Sequence, residues 1–220
     1  AGGGTYVDAI AIHSYLQTAG HQPVPEELLV YLPQFVTKYL KPHGQEKKPI
    51  IDTEASWGVP GCCNFGDLNL QAGFVVRYFI MHRLLNVQRY YWFAWDDATA
   101  GTLWVADPND ITKPGTLLKP GIAYQQTYNW LVGNTLDHSC APKGSVWACT
   151  LAGPNGYQGL IVWDTAQICT PCTYSQYKFD PMYIQYVDLT GKVNSTGGLK
   201  TVPIGYQPIL LQNETPSAKR

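Results

Sequence analysis

The sequence is poor in charge. Charged residues make up 14% of the 220 positions, against about 25% in an average soluble domain. The 15 Lys+Arg nearly cancel the 16 Asp+Glu, for a net charge of −1. A nucleic-acid surface needs a basic patch or stripe to neutralise phosphates, and none is present, so nucleic acid is not expected as a partner. Long apolar runs are absent too. The longest, 73–85, is broken by Arg77, His82 and Arg83, whereas a membrane-crossing helix takes about 20 apolar residues; no membrane partner is expected. Neither repeats nor low-complexity tracts occur. Hydrophobic residues still reach 45%, near the average, which excludes a disordered chain.

Aromatics, by contrast, are abundant, with seven Trp and fifteen Tyr. That excess suits surfaces that stack on sugars, and it equally suits an aromatic β core. The six cysteines are Cys62, Cys63, Cys140, Cys149, Cys169 and Cys172. Six cysteines allow fifteen complete pairings, among which sequence does not choose. Cys140 and Cys149 flank an Ala-Pro-Lys-Gly turn and suit a hairpin disulfide. Cys169-Thr-Pro-Cys172 suits a tight local disulfide or, with the first two, a zinc site. Disulfides and two N-x-S/T sequons (Asn194, Asn213) make a secreted protein the expectation. No signal peptide opens the sequence, so a mature or trimmed form is expected.

The order of elements is informative. Residues 7–15 read as a short buried strand. Residues 25–41 carry Leu28, Leu29, Leu32, Phe35, Val36, Tyr39 and Leu40 at helical spacing, after Pro25 and two acids suited to a first helical turn. Residues 49–54 form a second strand, 68–87 a helix, 89–95 a third strand and 120–132 a third helix that Gly133 can end. This alternation is the signature of an α/β fold with a parallel sheet, its strands near-continuously apolar because both faces are covered. After Gly133 the helical period disappears. Strands at 146–151, 158–164, 183–189 and 201–211, separated by Gly, Pro and Asn, read as an antiparallel β-sandwich-like domain. The expected division is 1–133, 134–213 and a disordered tail at 214–220.

Functional groups in α/β folds gather at the carboxyl ends of parallel strands. The three strands here end in His13-Ser14-Tyr15, Asp52-Thr53-Glu54 and Trp92-Phe93-Ala94-Trp95-Asp96-Asp97. Strand alternation puts His13 and Tyr15 on one face and Asp52 with Glu54 on one face. Of five Glu, only Glu54 closes an apolar strand; the others lie in a helix start, a loop or the tail. A carboxylate there is costly unless paired or used, so an ion-pair network is the structural alternative to a catalytic role.

Three segments carry a resemblance. Pro49-Ile-Ile-Asp-Thr-Glu54-Ala-Ser-Trp57-Gly58 resembles the seventh strand of clan A glycoside hydrolases, (β/α)8-barrel retaining enzymes in which that strand ends in the nucleophilic Glu. His13-Ser-Tyr15 resembles the sixth strand, where such a pair lines the sugar site. Tyr91-Trp92-Phe93-Ala94-Trp95-Asp96 resembles the eighth, which supplies a Trp platform. The tail is similar to the β-domain of family 39-like members. The resemblance implies Glu54 as nucleophile, His13 and Tyr15 as contacts to it or to a sugar hydroxyl, and Trp95 as the platform, with Trp92 a secondary candidate. Trp57 would stack on a sugar, Asp96 would bond sugar hydroxyls or cap its loop, and Asp52 is a secondary site candidate. No cofactor is implied.

One component is missing. A retaining mechanism needs a second carboxyl about 5–5.5 Å from the nucleophile as acid/base. In this clan that Glu ends the fourth strand after an Asn, and the only Asn-Glu here is Asn213-Glu214. About three barrel units are present, and an isolated parallel sheet exposes an edge. The expected partners are therefore carbohydrate and either a missing N-terminal barrel half or further copies of the chain. The alternatives are a non-catalytic carbohydrate-binding or assembly module, and a metal-dependent hydrolase using His13, Asp52, Glu54 and Asp96. The metal reading finds no H-E-x-x-H or H-x-H spacing to support it.

Overall fold

The computed structural model describes residues 3–16, 24–57, 66–97, 100–107, 109–110 and 112–213. Cys62, Cys63 and the tail 214–220 lie outside them. The fold mixes helices with parallel and antiparallel sheet, and divides into two units. The described residues of Ala1–Phe65 and Arg77–Thr116 make up the first, and those of Gly66–Val76 and Leu117–Arg220 the second.

In the first unit β1 (Ile10–Ile12) is followed by helix α1 (Leu28–Phe35), which Pro25 introduces through a single 3-10 turn. The helix is not uniform to residue 41, as its apolar spacing implies. Pro33 lies inside α1, and without an N–H it removes one rung of the hydrogen-bond ladder. The chain widens into a π-helical turn (Val36–Leu40), tightens at Lys41–His43 and stops at Gly44, whose φ of +65° favours glycine. Leu28, Leu32 and Leu40 point inward.

Strand β2 (Ile50–Ala55), helix α2 (Leu68–Leu84) and strand β3 (Arg89–Trp92) follow. The sheet is parallel in the order β1-β2-β3. Ile10, Ala11 and Ile12 pair with Ile50, Ile51 and Asp52; Ile51 and Asp52 pair with Arg89 and Tyr90. The register then slips, Ala55 pairing with Trp92, so that β2 spends one residue more than β3. Helix α2 is buried almost all round from Gln71 to Tyr78, which is why no apolar stripe stands out on it. Its fully buried Arg77 is held by Glu26 through two bonds, Nε to Oε1 at 2.8 Å and Nη2 to Oε2 at 2.5 Å. This bidentate pair satisfies a charge that burial would otherwise penalise. Two short strands, β4 (Trp104–Val105) and β5 (Thr116–Leu117), complete the run of elements before α3 (Lys119–Leu131).

Helix α3 belongs to the second unit, burying Ala123, Thr127, Trp130 and Leu131 and ending at Gly133 with φ +77°. The strands that follow are β6 (Thr135–Leu136), β7 (Ala141–Lys143), β8 (Val146–Ala152), β9 (Gln158–Asp164), β10 (Ser175–Lys178), β11 (Gln185–Val187), β12 (Val193–Ser195), β13 (Thr201–Ile204) and β14 (Ile209–Gln212). Seven form an antiparallel sheet ordered β12-β11-β14-β9-β8-β6, with β7 also on β8; β10 and β13 form a separate pair. The single strand expected over 201–211 is two. Pro208 cannot donate to a ladder, and at 205–208 the chain bends, leaving β13 on β10 and β14 between β9 and β11. Val202 and Ile204 of β13 pack into a core with Val162, Tyr183, Ile209 and Leu211. Cys140 and Cys149 are joined, with Cα atoms 4.6 Å apart. Cys169 and Cys172 are thiols. Cys172 Sγ lies 2.9 Å from the Cys169 carbonyl, and no bond joins the two sulfurs in this structure.

Candidate active site at the ends of the parallel strands

Glu54 stands at the end of β2 with its side chain about one-third exposed. Tyr15 donates its hydroxyl to Glu54 Oε1 at 2.9 Å, and His13 Nδ1 lies 3.9 Å from Oε2. His13 and Tyr15 are two residues apart on the extension of β1, so alternation puts both on the side of Glu54. Burial, followed by the hydrogen bond to Glu54 and the charges of Glu54, Asp52 and Asp97, drives the Tyr15 phenol far above the usual tyrosine range. Tyr15 thus donates to and orients the carboxylate, and the upward shift favours its protonated form.

Asp52 is not part of that cluster, although simple alternation places it beside Glu54. The extra residue of β2 between Asp52 and Ala55 breaks the period of two. Asp52 turns instead toward α2 and is fully buried. There its Oδ2 meets His82 Nε2 at 2.8 Å and accepts the Ser14 hydroxyl. Its Oδ1 accepts the backbone N–H of Ser14 and of Glu54, both at 3.4 Å. His82 Nδ1 lies 2.7 Å from the Tyr78 carbonyl, Tyr78 donates to the Ser14 carbonyl, and Tyr90 stacks on the imidazole at 3.9 Å. A carbonyl only accepts, so Nδ1 is the donor in that bond. The trio of Ser14, His82 and Asp52 is not a nucleophilic relay. In a relay the hydroxyl and the carboxylate address opposite ring nitrogens, and here both address Nε2. The cluster ties together the two strand ends that carry Tyr15 and Glu54.

The tryptophans separate. Trp57, read from sequence as a sugar-stacking residue of the loop, is 2% exposed and packs on Trp92 at 5.0 Å. The Trp57 ring itself is turned inward, where a ring of this size gains from burial. Trp92 is half-buried, faces Phe79 of α2 and donates Nε1 to the Gly101 carbonyl at 2.6 Å. Trp95, by contrast, is 53% exposed, and Asp96 is exposed beside it. On the open side of β3, Tyr91 and Phe93 are exposed as well. A groove of about 460 Å³ lies beside the end of β1, lined by His13, Tyr15, Leu28, Tyr31 and Phe35 among others. Sequence reasoning missed His82, Tyr78 and Ser14. The available signal was a histidine on an otherwise apolar helix together with an aspartate inside an apolar strand, two buried groups that need each other. It also weighed Asp96 above Asp97, whose charge is the one felt at Tyr15. Among the described residues no group of three or more His, Cys, Asp or Glu is placed to hold a metal ion. The convergence of His13, Asp52, Glu54 and Asp96 on which a metal reading depends does not form, since Asp52 faces the helix.

No family model matches the chain, and no curated protein matches it. Among solved structures it is similar to a family 39 glycoside hydrolase from the gut symbiont Bacteroides cellulosilyticus WH2, with a TM-score of 0.63 at 15% identity over 96% of this chain and 45% of that one. It is also similar to a 4-O-alpha-L-rhamnosyl-beta-D-glucuronidase from Fusarium oxysporum 12S (TM-score 0.58, 10% identity, 96% and 54%). A third is a monomeric beta-xylosidase from Caulobacter crescentus CB15 (TM-score 0.53, 13% identity, 96% and 56%). The chain spans about half the length of these structures. It has the fold of the C-terminal part of family 39 and related glycoside hydrolases.

Proposed function

We propose that this chain carries the nucleophile-bearing half of a retaining glycoside hydrolase site, built as three units of a (β/α)8 barrel followed by a β-sandwich-like domain. Glu54 attacks the anomeric carbon of a bound glycoside, forming a covalent glycosyl ester and expelling the aglycone. Tyr15 and His13 hold the carboxylate, Trp95 offers a sugar platform, and Asp96 and Asp97 face sugar hydroxyls. The acid/base that protonates the leaving oxygen comes from outside this chain, from an N-terminal barrel half seated against β1, which among the described residues pairs only with β2. One observation carries the reading: at a strand end, Glu54 accepts the Tyr15 hydroxyl at 2.9 Å while its side chain stays about one-third exposed.

The test isolates the nucleophile. A fluorinated sugar carrying a dinitrophenolate leaving group needs no protonation to depart, so it reports on Glu54 even without the acid/base. Incubation of the chain with a panel of such sugars is expected to attach one glycosyl group, located by peptide mass spectrometry on Glu54 and abolished in Glu54→Gln. Labelling elsewhere, or equal labelling of Glu54→Gln, would refute the assignment. Sugar binding with no labelling would favour the carbohydrate-binding module.

A further inference from the structure

We propose that Cys169 and Cys172 form a dithiol site that closes into an intramolecular disulfide on exchange with a low-molecular-weight disulfide such as oxidised glutathione. The two residues face each other in an isolated antiparallel bridge between β9 and β10. Directly opposed residues in such a bridge have Cα atoms about 4.5 or 5.5 Å apart, according to the pair type. Both values fall inside the range a disulfide spans without backbone movement. The chain already contains the same relation in bonded form. Ala141 pairs with Ala148, which makes Cys140 and Cys149 the next opposed pair, and those two are joined.

The loop that presents the thiols is held in place. Its base is closed by Thr173 N donating to the Ile168 carbonyl and Ile168 N donating to Thr173 Oγ1, both at 3.0 Å. One turn away Asp164 accepts from Ala166 N, Gln167 Nε2 and Ser175 Oγ at 3.0, 3.1 and 2.5 Å. A preorganised loop of this kind pays little ordering cost when the bond closes. The thiols also differ in access, Cys169 being 4% exposed and Cys172 exposed. The Cys172 sulfur already lies over the Cys169 backbone, 2.9 Å from its carbonyl oxygen. Access therefore assigns the order of events.

The Cys172 thiolate attacks one sulfur of the glutathione disulfide, forming a mixed disulfide and releasing one glutathione thiolate, which takes up the proton Cys172 lost. The Cys169 thiolate then attacks Cys172 Sγ, breaking the mixed disulfide and expelling the second glutathione, which takes the proton from Cys169. The chain loses two hydrogens and two electrons, and glutathione disulfide gains them.

The experiment treats the full chain with oxidised glutathione, blocks remaining thiols with iodoacetamide, and analyses the non-reduced chymotryptic peptide 164–174, which contains both cysteines. The expected peptide is two hydrogens lighter and unalkylated. Cys169→Ser is expected to stall as a stable glutathione adduct on Cys172. In Cys172→Ser, Cys169 is expected to react more slowly than Cys172 does in Cys169→Ser, by roughly tenfold or more, as burial requires. A wild-type peptide that keeps its glutathione, that alkylates at both positions, or that is found joined to another cysteine or another chain would overturn the proposal.

Discussion

Tyr15 is the residue on which the candidate site turns. A hydrogen bond to a charged group contributes about 1.5–3 kcal/mol, so Tyr15→Phe is expected to slow glycosylation of Glu54 by about ten- to a hundredfold. A quenched time course with the activated fluorosugar measures it. The pH dependence follows from the direction of the shift. A phenol pushed above its ordinary value of about 10 keeps its proton, and its bond to Glu54, through the range where free tyrosine ionises. Labelling is therefore expected to hold from about pH 8 to 10, and a fall centred near 10 would contradict the cause given for the shift. Behind the site, Asp52→Ala leaves His82 buried without its carboxylate. Breaking a buried pair from one side typically costs about 3–5 kcal/mol, and a lowered urea midpoint is the expected result. These residues were legible to different degrees. Glu54, His13 and Tyr15 could be found because strand ends and alternation point to them. Asp52 was misplaced because a bulge has no reliable sequence signature, and His82 because a helix neighbour thirty residues away is not visible in local pattern.

At the level of elements, the turn after β3 depends on Gly101. Its φ is +56°, and a Cβ there would collide with the Phe93 carbonyl and the Ser56 side chain. Gly101→Ala is expected to cost more than about 1 kcal/mol, with loss of the bond from Trp92 Nε1, readable as a change in near-ultraviolet circular dichroism and a lower melting temperature. In the second unit Leu211 on β14 is fully buried in the core shared with β13, and Leu211→Ala is expected to cost about 2–5 kcal/mol. The β9–β10 loop has its own titration. Burial alone would raise the Asp164 carboxyl, but hydrogen bonds from Ser175, Ser145, the Ala166 N–H and Gln167 outweigh it, and the net shift is downward. A lowered carboxyl stabilises the fold above its unfolded value of about 3.9 and loses that contribution as pH falls through the folded value. Ser175→Ala is accordingly expected to lower the urea midpoint at neutral pH, with the difference from the parent chain shrinking as pH falls through the folded value of Asp164.

For the molecule as a whole, the parallel sheet is the point of exposure. Among the described residues β1 and β3 each pair with one neighbour only, and Tyr91, Phe93 and Trp95 remain exposed on the open side. Uncovered strand edges and apolar surface favour association. Light scattering is expected to show a mass that rises with concentration. An added chain supplying the first five strands of a family 39 barrel is expected to convert it to a one-to-one complex. A concentration-independent monomer that ignores that chain would count against the half-barrel reading.

The sequence by itself determined the alternation of strand and helix up to Gly133, the all-β character beyond it and the carboxylate at the end of the second strand; it offered the Cys140–Cys149 link as one pairing among several. These follow from local periodicity, turn chemistry and residue type. Tertiary structure alone decided the faces: a one-residue slip of β2 against β3 sent Asp52 to His82 and left Glu54 with Tyr15. Pro208 lies where one predicted strand became two in different sheets, and packing drew Trp57 inside while leaving Trp95 out. The physical reason is common to all three. Which side a residue faces is set by register between segments distant in the chain, and register is a property of the packed fold.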